Sequence, residues 1–130
     1  MEATVCALCR LQKKLQQSHL LPAAAHRVTK DNGKNVLAMN RKGWVNRTNQ
    51  RDFKEYLLCY DCEQDLSIYE GDAIKACRKA WEFKSSKPYR LPQDSVEALV
   101  RCAYSIFWRV SVSKTIEDYV LPSEVEEELR

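Results

Sequence analysis

Four of the six cysteines in this chain fall into two Cys-x-x-Cys pairs, Cys6/Cys9 and Cys59/Cys62. A pair of that spacing can fold into a knuckle that turns two thiolates toward one ion, and two knuckles supply a complete tetrahedral set for Zn²⁺. Apolar residues precede each pair, in VCALCR and in LLCYDCE, as expected where a strand runs into a metal-binding turn. Redox chemistry is the competing use of such pairs. A dithiol of that kind opens a helix within a thioredoxin-like βαβ pattern, which the sequence lacks. Three disulfides are also disfavoured, because Cys77 and Cys102 fall at apolar helical positions and read as reduced core residues. Cys6, Cys9, Cys59 and Cys62 are therefore expected to hold a structural zinc ion.

Acid–base chemistry has fewer candidates. Ser18-His19, followed by Leu20-Leu21-Pro22, stands between the two pairs. Lys54 and Glu55 lead into the second pair, Glu63 follows it, and Glu70 lies further along the same helical stretch. Each residue has a plain alternative. His19 could hydrogen-bond a backbone carbonyl or cap a helix, Glu63 could sit in a first helical turn where the macrodipole favours an acid, and Lys54 with Glu55 could be a surface ion pair. Glu70 shares a helix face with Glu63 but could equally be solvated, and His26 is expected to be exposed.

The elements that must position these groups read as an α+β fold. The two pairs are separated by about fifty residues, too long for a compact ribbon, so the insert must carry structure or a binding loop of its own. Pro22 suits the first turn of a short helix over AAAHRVTK, Asp31-Asn32-Gly33 is a turn signal, and NVLAM and KEYLLC are strand candidates. Residues 40–52, rich in Asn, Arg and Lys, are expected to form an exposed loop. From Glu63 onward Leu66, Tyr69, Ala73, Ala76, Cys77 and Ala80 recur at helical spacing, with Gly71 as a weak point. SSKPYRLP reads as a loop, and Asp94 with Glu97 resembles a capping box opening a second helix. The apolar face of that helix is expected to be Val96, Leu99, Val100, Ala103, Phe107 and Val110; Trp108 and Arg109 lie partly off it, which suits either a second packing surface or, for Trp108, simple core. A last short helix begins near Pro122 and Ser123, and the chain ends while still helical in character, which points to truncation or to a partner. One zinc-stabilised domain over residues 1–130 is expected, with a core over 1–83 and a helical extension over 93–130.

CALCR, SHLLP and KEYLLCYDCEQDLSIYE together resemble the bacterial HNH-endonuclease-like zinc proteins that combine a Cys-x-x-Cys, a Ser-His-x-x-Pro and a Leu-Leu-Cys-x-x-Cys-Glu element. SIFWRVSVS is similar to the helical region that follows in those proteins, so the resemblance spans nearly the whole chain. It implies a treble-clef zinc finger of the ββα-metal type followed by helices. It also implies metal-dependent phosphodiester hydrolysis, with His19 as general base, a Mg²⁺ or Mn²⁺ ion at the catalytic site, and a defence or mobile-element setting. Where an HNH site carries an Asp or His before the base this chain has Ser18, and where a His follows the last cysteine it has Glu63, a hard oxygen ligand. Asn49 is the nearest counterpart of the central Asn.

The formal charge of +3 is mild, but its distribution is polarised. Arg27, Lys30, Lys34, Arg41, Lys42, Arg47, Arg51 and Lys54 face only Asp31 and Asp52 across the insert, whereas the tail from Glu117 is acidic. Arg41, Lys42, Arg47, Arg51 and Lys54 are thus candidates for phosphate contacts, with DNA favoured over RNA, although a solvated basic loop gives the same pattern. Two further readings stand beside the nuclease: a zinc-stabilised binding module without catalysis, and an assembly subunit docking through its C-terminal helices. No segment approaches the length of a membrane span, and a cytoplasmic protein is expected.

Overall fold

The computed structural model describes residues 4–22, 36–39, 45–48, 54–82, 88, 90–116 and 119–130. The described residues form an α+β arrangement of two two-stranded antiparallel sheets and three helices. In chain order these are β1 (Leu15–His19), β2 (Val36–Met39), β3 (Val45–Thr48), β4 (Lys54–Cys59), α1 (Tyr60–Glu82), α2 (Gln93–Val112) and α3 (Ser123–Leu129). β1 pairs with β4, and β2 with β3.

β1 was not expected from its composition. Its ladder runs Leu15↔Cys59 and Gln16↔Leu58, then shifts, and resumes as Gln17↔Tyr56, Ser18↔Glu55 and His19↔Lys54. The irregularity puts the two-residue alternation out of phase between Gln16 and Gln17, which hides the strand from a periodicity search. β3 likewise corrects the expectation of a loop over 40–52. Val45 and Thr48 are β-branched and pair with Met39 and Val36 of β2, so the segment satisfies its backbone locally as a ladder. The remaining residues of that stretch, the helix expected over AAAHRVTK, the Asp31-Asn32-Gly33 turn and His26 lie outside the described residues. The two strand candidates, NVLAM and KEYLLC, correspond to β2 and β4.

β4 passes into α1 without an intervening loop, and Asp61 and Glu63 occupy the first turn, where their charge complements the amide end of the helix. α1 continues through Gly71, where an added Cβ would meet nothing within 4 Å. Gly71→Ala is accordingly expected to stabilise the fold by about 0.5–1 kcal/mol, read as a higher urea midpoint with unchanged slope. α2 differs from expectation in two respects. Its N-cap is Pro92, whose carbonyl accepts from the amides of Ser95 and Val96 at 3.1 Å, while Asp94 lies inside the first turn and does not cap. Its buried residues are Ala98, Cys102, Trp108, Arg109 and Ser111, whereas Val96, Val100 and Phe107 are exposed. Small residues at Ala73 and Ala76 of α1 and Ala98 and Cys102 of α2 let the helices pack closely, and an ion pair between them draws Arg109 inward. Cys77, expected in the core, is exposed, because α1 buries its neighbour Ala76 instead. Arg101 of α2 lies over the Tyr69 ring of α1, 4.9 Å from its centroid.

One core cluster joins Cys6, Leu20, Leu57, Leu58, Cys59, Cys62 and Trp108, so α2 contributes its largest side chain beside the cysteines. α3 starts where Pro122-Ser123 suggested. It is held by an ion pair of Glu127 with Arg10, by Ser111 Oγ donating to Glu126 at 2.5 Å and by Arg130 donating to the Ala7 carbonyl at 2.8 Å. Among the described residues no helix is long and apolar enough to cross a membrane.

Candidate functional site

The first cysteine pair sits in a tight hairpin closed by the Val5↔Gln12 bridge. The Cys6 amide donates to the Leu11 carbonyl at 3.0 Å, the Arg10 amide donates to the Cys6 carbonyl at 2.9 Å, and Arg10 adopts a positive φ of 60° to complete the turn. That left-handed conformation more commonly takes glycine, so the knuckle accepts strain at Arg10 while using its side chain to hold Glu127. The second pair straddles the β4–α1 junction. The Ala7 amide donates to the Leu57 carbonyl at 3.0 Å and the Cys59 amide to Cys6 Sγ at 3.3 Å, which lays one knuckle on the other.

The four sulfurs of Cys6, Cys9, Cys59 and Cys62 lie within 4.8 Å of one another, and the Cys9 and Cys59 sulfurs are 3.9 Å apart. Four thiolates around Zn²⁺ at about 2.3 Å would stand roughly 3.8 Å apart along each tetrahedral edge, so the set fits that ion with little adjustment. All six cysteines are free in the structure, and four of their sulfurs converge as a set rather than in bonded pairs. Burial would raise the Cys6 thiol, but backbone amides of Cys9, Cys59 and Leu8 outweigh it and bring Cys6 to about 7, while burial and the neighbouring sulfurs push Cys62 up. Amides aimed at sulfur favour the thiolate that a metal requires. The four cysteines are positioned to hold a metal such as Zn²⁺. Comparison of the chain with known families, characterised proteins and solved structures finds no match.

The Ser-His element lies at the end of β1. Ser18 is fully buried, and its hydroxyl both donates to Glu63 Oε2 at 2.7 Å and accepts from the Leu58 amide at 3.2 Å. A serine held in this way orients Glu63 and ties β1 to β4 and α1. Strand alternation puts Ser18 and Leu20, both buried, on the face toward the helices and directs His19 to the other face with Lys54 as its cross-strand neighbour. The structure therefore joins Glu63 to Ser18. Among the described residues no second set of three or more His, Cys, Asp or Glu ligand atoms converges as the cysteines do.

Glu55 and Glu70 are fixed by α2. Glu55 accepts from Ser113 Oγ at 2.6 Å, from the Lys114 amide at 3.1 Å and from Thr115 Oγ1 at 3.1 Å, clamping the end of α2 to β4. Burial alone would raise its carboxyl, but these donors outweigh it and hold Glu55 below its ordinary value. A carboxyl lowered in the fold stabilises above its unfolded value and loses that contribution as pH falls through the folded one. Glu55→Gln should flatten this acid arm of a stability–pH profile, at a cost on the order of 1 kcal/mol near neutral pH because the group is partly solvated. Glu70 acts with the opposite sign, since burial raises its carboxyl despite Arg109.

Of the candidate phosphate contacts, Lys54 is exposed on β4 and Arg47 lies in β3, while Arg41, Lys42, Arg51 and Asn49 are outside the described residues. The residues that sequence reasoning missed are Arg109 and Ser113. Arg109 is fully buried, donates through Nη1 to the His19 carbonyl at 2.9 Å and meets Glu70 at 2.5 Å through Nη2. The signal for it was a charge within the apolar run SIFWRV.

Proposed function

We propose that this chain is an HNH-like, zinc-stabilised protein directed at nucleic acid. Cys6, Cys9, Cys59 and Cys62 hold a structural Zn²⁺ within a treble clef, and His19 serves as general base for metal-dependent phosphodiester hydrolysis. The observation that carries the reading is the convergence of the four sulfurs at the β4–α1 junction, which gathers an N-terminal hairpin, a strand pair and the start of a helix around one point. His19 stands at the end of the strand paired with β4, where its imidazole can take a proton from water as that water attacks phosphorus. A Mg²⁺ or Mn²⁺ ion, when bound, would supply charge stabilisation at the phosphate and the leaving oxygen. Arg41, Lys42, Arg47, Arg51 and Lys54 contact backbone phosphates, with DNA preferred to RNA, and the family resemblance adds the defence or mobile-element setting.

A second reading is favoured by the Ser18–Glu63 hydrogen bond, which gives both residues at the expected metal-ligand positions a structural role. In that reading the same scaffold binds nucleic acid, or docks a protein through α2 and α3, without cleaving. The deciding experiment is cleavage of plasmid, single-stranded DNA and RNA with Mg²⁺ or Mn²⁺ by the zinc-loaded protein beside His19→Ala. Cleavage lost in the variant with fold and zinc intact supports hydrolysis by His19. If neither protein cuts and binding weakens steeply with salt, the binding module stands instead.

A further inference from the structure

The mechanism proposed above leaves one charged group in the core unused. Arg109 enters from α2, ninety positions away from His19 in sequence, and none of its surface reaches solvent. Its guanidinium is divided between two partners: Nη1 donates to the His19 carbonyl at 2.9 Å, and Nη2 lies 2.5 Å from Glu70 on α1. Burial raises the Glu70 carboxyl and the Arg109 charge opposes that rise, so the Glu70 carboxylate depends on Arg109 for its counter-charge.

Such a pair is an expensive way to fill space. Desolvating two charges offsets much of their attraction, and apolar side chains of similar volume commonly do as well or better. What the pair supplies that a leucine and a methionine would not is a directional donor at one carbonyl. That carbonyl belongs to the last residue of β1, where the strand gives way to the bend at Leu20 and Leu21. On the other side of the same element Ser18 is fixed between the Leu58 amide and Glu63. Both members of the Ser-His pair are thereby anchored by polar contacts from separate elements, β4 and α1 for Ser18 and α2 for His19.

We infer that Arg109, held by Glu70, is a positioning residue for His19: it fixes the end of β1 through the His19 carbonyl and so sets where the imidazole stands. The inference rests on the reading of His19 as the general base, but its geometry can be tested separately. Arg109 touches neither water nor phosphate in this role. It acts through the backbone of His19, where its Nη1 donates to the carbonyl at 2.9 Å.

The test uses the zinc-loaded full chain and three variants: Arg109→Lys, Glu70→Gln and the double variant Glu70→Leu with Arg109→Met. The chain has two histidines, so His19→Ala assigns the signals of labelled His19 in NMR. In the double variant, zinc content and helical circular dichroism are expected to persist while the ring and amide signals of His19 shift and broaden. Cleavage should fall by about tenfold to a hundredfold through kcat with KM little changed, as displacement of a catalytic group by a fraction of an ångström to 1 Å would produce. Arg109→Lys, which keeps the charge but loses the fork, should show an intermediate His19 displacement, and Glu70→Gln a smaller one. Unmoved His19 signals in folded variants would overturn the inference, and so would loss of zinc and fold in all three, which would make the pair purely structural. If the wild-type protein does not cleave, the reading of His19 as a base fails, and the His19 signals alone then decide whether Arg109 positions that residue.

Discussion

Cys59→Ser is expected to leave the chain largely unfolded at 25 °C and unable to retain stoichiometric zinc. Cys59 is buried at the β4–α1 junction, its amide donates to Cys6 Sγ at 3.3 Å, and its own sulfur lies 3.9 Å from that of Cys9. The substitution removes one of the four sulfurs that converge where the N-terminal hairpin meets the strand pair. The binding energy of a structural zinc ion is folding energy, about 10–16 kcal/mol in zinc-finger peptides, against a typical total stability of about 5–15 kcal/mol for a domain. Much of the surrounding core consists of the ligands themselves, with Leu20, Leu57, Leu58 and Trp108 as the large apolar members. Zinc content, near-ultraviolet circular dichroism and the thermal midpoint should therefore fall together in Cys59→Ser. A chelator should reproduce the effect in the wild-type protein and added Zn²⁺ should reverse it. Cys77→Ser is the control, because Cys77 is an exposed thiol on α1 outside the cluster, and its midpoint should stay within about 0.5 kcal/mol of wild type. A Cys59→Ser protein that melts like the wild type would remove the metal from the account of this fold.

The second large effect is expected at the Glu70–Arg109 pair, and its signature is non-additivity. Arg109→Met alone leaves the Glu70 carboxyl buried without its counter-charge and the His19 carbonyl without its donor, at an expected cost of about 3–5 kcal/mol. Glu70→Leu alone strands the Arg109 guanidinium in the same way. The double variant removes both charges and should recover most of the loss, less about 1–3 kcal/mol for the unsatisfied carbonyl. Urea unfolding of the four proteins in the cycle measures this directly. The pH dependence separates the species further. The Glu70 carboxyl is raised in the fold, so its ionisation costs stability as pH rises from its unfolded to its folded value, and Arg109→Met should enlarge that cost. Single losses that simply add in the double variant would show that the two side chains act independently.

The zinc-type centre was legible because its ligands come in two local pairs. A Cys-x-x-Cys knuckle is defined by its own few residues, and two such pairs in one short chain have few other uses. β4, α1 and α3 were legible for the same reason, each carrying its signal in neighbouring residues: the run YLLC, the helical spacing after Glu63, and Pro122-Ser123. β1 and β3 were not, because a two-stranded ladder is completed by its partner, and the register shift between Gln16 and Gln17 erased the local alternation. The apolar face of α2 was misjudged for a related reason. Its composition placed Val96, Val100 and Phe107 inward, but close packing on Ala73 and Ala76 of α1, together with the pull of Glu70 on Arg109, turned the helix so that these apolar residues face solvent.

Sequence alone determined the metal-binding chemistry, the order of most elements and the identity of Ser18, His19 and Glu63 as residues of interest, since all of these are local in the chain. Tertiary structure decided which of them meet. It set Ser18 on Glu63, gave Glu55 to the end of α2, and brought Arg109 to the His19 carbonyl. These pairings link residues 45 to 90 positions apart. Their physical cause is that buried polar groups must find partners, and the available partner is fixed by how helices and strands pack rather than by the residues on either side in the chain.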